Sequence, residues 1–185
     1  GLPKWQFTLS ATQANTEVIR LARAVTGREV ILLFDGKYHG HGDATLVVLE
    51  DGKVVPEEDG LPRWITGQAR IIGFNDVPAL EAALAPGDVA LVLAEPAMTN
   101  AGSILPAPGY HDVLRRLTRE HGTLLAIDET QRASSRNVDV SSGGSGGVGP
   151  GGWCCAWWWG WWGDFGAVGV VGVVDAVGVA PDGES

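Results

Sequence analysis

Three short stretches carry the side chains with chemistry to offer. Ser10-Ala11-Thr12 stands where "QFTLS" gives way to "ATQANTEVIRLARAVTG", Tyr38-His39 lies within "DGKYHGHGD", and Asp128 closes "TLLAID". The first suits an anion, because the opening N–H groups of a helix lack partners and the helix dipole is positive there. A simpler reading makes Ser10 or Thr12 the cap of that helix. In the second stretch Tyr38 presents a ring face to a planar ligand. The alternative there is a metal held by His39, His41 and Asp43, but three glycines and little strand propensity leave those side chains without a regular spacing. In the third, a carboxylate ending an apolar strand is costly without a cationic partner. A protonated pyridine nitrogen would serve as that partner; a helix cap or surface ion pair is the plainer alternative.

The elements that must position these groups are legible from periodicity. "QFTLS" reads as a short strand. The helix after it has an apolar stripe at Val18, Ile19, Leu21, Ala22 and Val25 and stops at Gly27. "EVILLF" is a continuous apolar run, as in a strand covered on both faces, and "TLVVLEDGKVVP" reads as a hairpin turning at Asp51-Gly52. "ARIIGF" and "NDVPALEAALA" follow as strand and helix, with Asn75 as the expected N-cap. "VALVLAEP", "GYHDVLRRLTREHG" and "TLLAIDE" complete the series as strand, helix and strand, Gly122 stopping the helix. Alternation with short links predicts an α/β fold, a mostly parallel sheet flanked by helices. Ligands of such sheets gather at the carboxyl ends of the strands.

The formal net charge of -9 argues against a nucleic-acid partner. Cys154 and Cys155 are adjacent, which suits neither a disulfide framework nor paired metal ligands. The apolar tract from Phe165 to Ala180 is glycine-rich and broken by Asp175, so no membrane span is expected. "GLPKWQFTLSATQ" carries no basic-then-apolar export signal, and the expected location is the cytoplasm.

Four segments, "FTLSATQANTEVIRLARAVTGRE", "FDGKYHG", "LAEPAMTNAGSILPAPGY" and "LLAIDETQ", in this order and spacing, resemble the class III aminotransferases, pyridoxal-phosphate enzymes of fold type I. The resemblance covers residues 1–131 and lies nearest the aminomutase-like branch. It implies an incomplete large domain and a pyridoxal 5'-phosphate cofactor. A small-molecule amino donor and a keto acid are the implied partners, and a homodimer the implied assembly. Carried residue by residue, it places the cofactor phosphate at Ser10, Ala11 and Thr12, with alanine where the family has glycine. Tyr38 would stack on the pyridine ring, with His39 following it. Asp128 would pair with the ring nitrogen and keep the ring an electron sink. Gln131 falls near the ring hydroxyl, and Glu95 of the Glu-Pro motif would organise the surrounding residues. Asn100 stands where many ω-aminotransferases have a glutamate, which points toward the aminomutase branch.

Beyond Arg136 the composition changes: no Leu, Ile, Lys, Arg or His occurs, and Gly, Val, Trp and Ser dominate. Residues 132–185 are expected to be an irregular, disordered tail beyond a domain at 1–131. In the family, a Schiff-base lysine that also moves the substrate proton lies about thirty residues beyond the ring-nitrogen aspartate. That count lands in "WCCAWWWGWW", and the lysines of this chain are Lys4, Lys37 and Lys53, so no catalytic residue is assigned. Tryptophan has one codon, TGG; Trp157-Trp158-Trp159 read in neighbouring frames gives Val-Val or Gly-Gly. Those residues belong to a buried strand and a glycine turn. The expectation is therefore an out-of-frame tail and a chain inactive in transamination, with a lysine-free cofactor-binding module or an inert fragment as the alternatives.

Overall fold

The computed structural model describes residues 4–130 and two further short strands, Trp153–Cys155 and Val171–Val174. The chain opens with β1 (Lys4–Trp5) and α1 (Ala11–Thr26), then β2 (Val30–Phe34). A hairpin of β3 (Val47–Glu50) and β4 (Lys53–Pro56) leads to β5 (Ala69–Ile72) and α2 (Val77–Leu84). β6 (Val89–Ala94), α3 (Tyr110–Glu120) and β7 (Leu124–Asp128) follow, and β8 (Trp153–Cys155) and β9 (Val171–Val174) come last. The main sheet has the order β1-β8-β9-β7-β6-β2-β5, with β7, β6, β2 and β5 mutually parallel.

The four parallel strands are apolar because both of their faces are covered. β6 is buried throughout, from Val89 to Ala94. On one face Ala14, Val18, Ile19 and Ala22 of α1 pack with Ile31, Leu33, Leu91, Leu93 and Ala126. On the other, Leu80 and Leu84 of α2 and Leu114 and Leu117 of α3 pack with Leu32, Phe34, Val92 and Leu125. Each such leucine or isoleucine contributes about 1.5–3 kcal/mol by leaving water. Truncating fully buried Leu91 to alanine would cost about 2–5 kcal/mol, cavity included.

α1 begins where Ser10 Oγ accepts the Gln13 N–H, and ends at Gly27, left-handed at φ 66°, whose N–H reaches Arg23 O. Only three residues separate α1 from β2, so the helix returns alongside the sheet. Its N-terminus therefore lies at the carboxyl ends of the strands. The hairpin turns where expected, with Asp51 and Gly52 both at positive φ, the backbone a two-residue I′ turn requires.

Several local expectations need correction. "QFTLS" is not a strand: β1 is Lys4–Trp5, and Phe7 and Leu9 are exposed. A strand needs a ladder partner, and β1 finds its own only at Trp153-Cys154. The buried stripe of α1 is Ala14, Asn15, Val18, Ile19 and Ala22, whereas Leu21 and Val25 stay partly exposed. Asp76, not Asn75, caps α2, accepting from Ala79 N. Asn75 adopts a left-handed φ of 69° and uses its amide to bridge Leu105 O and Ala107 N. In the stretch expected to be irregular, β9 pairs antiparallel with β7 and β8 with β9. Pairing there satisfies the backbone groups that β7 would otherwise present as an open edge, and valine favours it. The rest of that stretch lies outside the described residues.

Candidate functional site

Three loops meet at the carboxyl ends of the parallel strands. They follow β2 (35–43), β6 (95–109) and β7 (from Asp128), and the start of α1 closes on them. The reason is topological: strands running the same way deliver their ends to one rim of the sheet.

Asp128 is the centre. It is buried, yet every contact favours its charged form. Oδ2 accepts the Asn15 amide at 2.8 Å and His39 Nδ1–H at 2.9 Å, and Oδ1 accepts the Thr130 N–H at 3.0 Å and the Thr130 hydroxyl. Burial pushes its pKa up. The His39 hydrogen bond and charge, with the bonds from Thr130 and Asn15, outweigh burial and hold the carboxyl below its ordinary value. The accepting carboxylate places a proton on His39 Nδ1, so the other ring nitrogen, Nε2, is left over. That Nε2 is buried without a partner, as is Asn15 Oδ1. Unpaired buried polar atoms cost about 1–3 kcal/mol each and call for an explanation.

Glu95 is also buried and is spent on loop architecture. Oε1 accepts the Tyr38 N–H at 3.3 Å, and Oε2 accepts the Thr99 N–H and hydroxyl at 3.2 and 2.8 Å. One carboxylate thus ties the loop after β2 to the loop after β6. Asn100 adds an exposed 3.4 Å bond from its amide to Gly36 O. At Gly36, φ 79°, a Cβ would come within 2.7 Å of Ala101 Cβ, so the two loops pack too closely for a side chain.

Ser10-Ala11-Thr12 is brought to the same rim. Both readings of it have a physical basis here. Ser10 is the helix cap, and Thr12 Oγ1 accepts His41 N–H at 3.3 Å. The N–H groups of Ala11 and Thr12 belong to the first turn, have no acceptor within the helix, and face no acidic residue in that turn. Gly40 makes the approach possible: at φ 84°, a Cβ there would lie 2.1 Å from Thr12 Oγ1. Thr12 and Asn15 are three residues apart, about 4.5 Å along the helix axis. One turn of α1 therefore spans the distance between the open amides and the Asp128 cluster.

Tyr38 is partly exposed, with its hydroxyl 3.3 Å from His41 Nδ1 and its ring edge-on to His41. Lys37 is buried with its ammonium 3.1 Å from Glu57 and is committed to that ion pair. His39 is turned to Asp128 and His41 to Tyr38. Among the described residues no group of three His, Cys, Asp or Glu side chains could hold a metal. Gln131 lies outside the described residues. Asn15 is the residue that sequence reasoning missed. Its signal was present: an amide three before Val18 and four before Ile19, inside an apolar helical stripe. Among the described residues no helix is long and apolar enough to cross a membrane.

A buried anion at a strand end and the open amides of a helix N-terminus one turn away thus share one rim of the sheet. Comparisons with known proteins show the family. The family model described as aminotransferase class-III matches residues 4–138. A glutamate-1-semialdehyde 2,1-aminomutase of Gemmatimonas aurantiaca is 42% identical over 127 residues, 67% of this chain and 29% of its own. The crystal structure of a glutamate-1-semialdehyde aminomutase from Pseudomonas aeruginosa PAO1 is 40% identical with a TM-score of 0.73, covering 94% of this chain and 38% of that one. A variant of that aminomutase in complex with PMP is 48% identical with a TM-score of 0.65, covering 70% of this chain and 29% of that one. The chain thus spans under a third of the length of the curated relative it matches. With a family model matching most of its length and folds of the same kind at such identity, this chain belongs to the class III aminotransferase family.

Proposed function

We propose that residues 4–130 are the cofactor-gripping part of a pyridoxal-phosphate-dependent aminotransferase, acting on a small amino donor and a keto acid. The observation that carries this reading is the buried Asp128 carboxylate, kept anionic by Asn15, His39 and Thr130. Such a group suits a protonated pyridine nitrogen, and the open amides of Ala11 and Thr12 suit the phosphate. When bound, the cofactor would supply an electron sink for the carbanion left by removing a substrate proton. The chain's own contributions are binding and orientation. Asp128 would hold the ring nitrogen's proton in place, Tyr38 would cover a ring face, and Glu95 would fix the Tyr38 backbone. The aminomutase relatives, together with Asn100, favour intramolecular amino transfer on a semialdehyde as the finer reading.

No lysine follows Lys53 in this sequence, and Lys37 is paired with Glu57. We therefore expect the chain to bind the cofactor reversibly without completing transamination. Absorbance of the full chain with pyridoxal phosphate, before and after borohydride, tests this. A saturable band that dialysis removes even after borohydride supports the reading. A covalently fixed band overturns the assignment of inactivity, and no band overturns cofactor binding, leaving an inert fragment. Sequencing the gene past codon 131 tests the out-of-frame origin of the tail: no aminotransferase continuation in either other frame would end it.

A further inference from the structure

We infer that Asn15 is a positioning residue for the reaction proposed above, its side-chain amide clamping the Asp128 carboxylate and the Tyr38–His39 loop into one arrangement. The inference rests on that reading of the site, but its geometry stands separately. Asn15 Nδ2 donates to Asp128 Oδ2 at 2.8 Å and to His39 O at 3.0 Å, joining segments that lie 113 and 24 residues away in sequence. Both partners only accept, so the amide has one workable orientation. The opposite one would set Asn15 Oδ1 against a carboxylate and a carbonyl. Fixing Nδ2 in this way leaves Oδ1 buried without a donor.

Packing does not explain the residue. Asn15 is buried in the same stripe as Ala14, Val18, Ile19 and Ala22, where an apolar side chain would avoid the unpaired oxygen. What the amide supplies is a donor that does not titrate. The titratable group acting on Asp128 is His39, from the loop after β2; the other donors, Thr130 beyond β7 and Asn15 on α1, are neutral. Asn15 therefore gives Asp128 an orienting donor whose own charge does not change with pH. The bond to His39 O ties the backbone beside Tyr38 to the helix that holds that carboxylate.

The test uses the full chain, carboxyl-labelled for NMR, with Asn15→Leu and Asn15→Asp. Without cofactor, Asn15→Leu should titrate Asp128 at a higher pH than the unmodified chain does. With cofactor, it should weaken reversible pyridoxal phosphate binding about tenfold, the scale of one hydrogen bond to a charged group. Asn15→Asp keeps size and shape should the leucine variant not fold. It sets two carboxylates together, and one of them should remain protonated well above the ordinary carboxylate range. Unshifted Asp128 titration in both variants would overturn the clamp. If Asp128→Asn abolishes cofactor binding while Asn15→Leu changes neither titration nor affinity, the clamp fails and the cofactor reading survives. If the unmodified chain binds no cofactor, the reading fails while the titration still decides the clamp.

Discussion

The two rims of one sheet use their polar groups in opposite ways. At the amino ends of the strands, Arg28 Nη1 lies within 2.9–3.3 Å of Val89 O, His121 O, Gly122 O and Thr123 Oγ1, stitching β6 to the turn between α3 and β7. Beside it Arg70 grips Asp88 with two 3.0 Å bonds, and those bonds hold the Asp88 carboxyl below its ordinary value. Arg28 there is spent on carbonyls and a hydroxyl, and Arg70 and Asp88 neutralise each other. At the carboxyl ends a buried carboxylate is held by an imidazole and neutral donors, and beside it His39 Nε2 and Asn15 Oδ1 remain unpaired. A rim built for stability closes its hydrogen bonds; the other keeps valences that a ligand can complete.

Substitutions should respect that division. The largest effect is expected for Asp128→Asn, which removes the anion. Pyridoxal phosphate affinity should fall about a hundredfold, as when one member of a buried charged pair is lost. Equal affinity by spectroscopic titration would place the cofactor elsewhere.

Gly40→Ala comes next. Its Cβ would collide with Thr12, and φ 84° strains any side chain, so we expect a loss of about 2–3 kcal/mol in urea unfolding together with weakened cofactor binding. Arg28→Met should lower stability by about 1–2 kcal/mol by stranding carbonyls at the opposite rim, with the cofactor affinity of the folded protein unchanged. An affinity change there would erase the contrast between the rims.

The mildest test is acid. Because the folded-state pKa of Asp128 is depressed, its contribution to stability is present above the ordinary carboxylate value of about 4 and is lost as pH falls through the folded value. Urea midpoints measured from pH 6 downward should therefore decline less steeply in Asp128→Asn than in the unmodified chain.

Much of this molecule was legible before any coordinates. Continuous apolar runs such as "VALVLA" announce strands covered on both faces, and the glycine after "ARAVT" announces the end of α1, because both signals are local and periodic. The errors fall where partners distant in sequence decide. "QFTLS" has strand-like residues but no neighbour to pair with, so the strand forms at Lys4–Trp5 instead. The α1 stripe was drawn over Leu21 and Val25 and missed Asn15, because helical period alone does not say which face meets the sheet. Asn75 was read as a cap from its type, while its amide is engaged with the loop that precedes α3.

By itself, then, the sequence determined the alternation of strand and helix, the parallel sheet that follows from it, and the candidate groups at Ser10–Thr12, Tyr38–His39 and Asp128. Composition, period and residue type carry that much, because each acts within a few residues along the chain. Only the tertiary structure decided that Asp128 faces His39 and Asn15, that Glu95 serves the loops, and that Lys37 is bound to Glu57. Burial and the charge state that follows from it depend on which segments meet, and contacts across 89 or 113 residues leave no periodic trace in the chain.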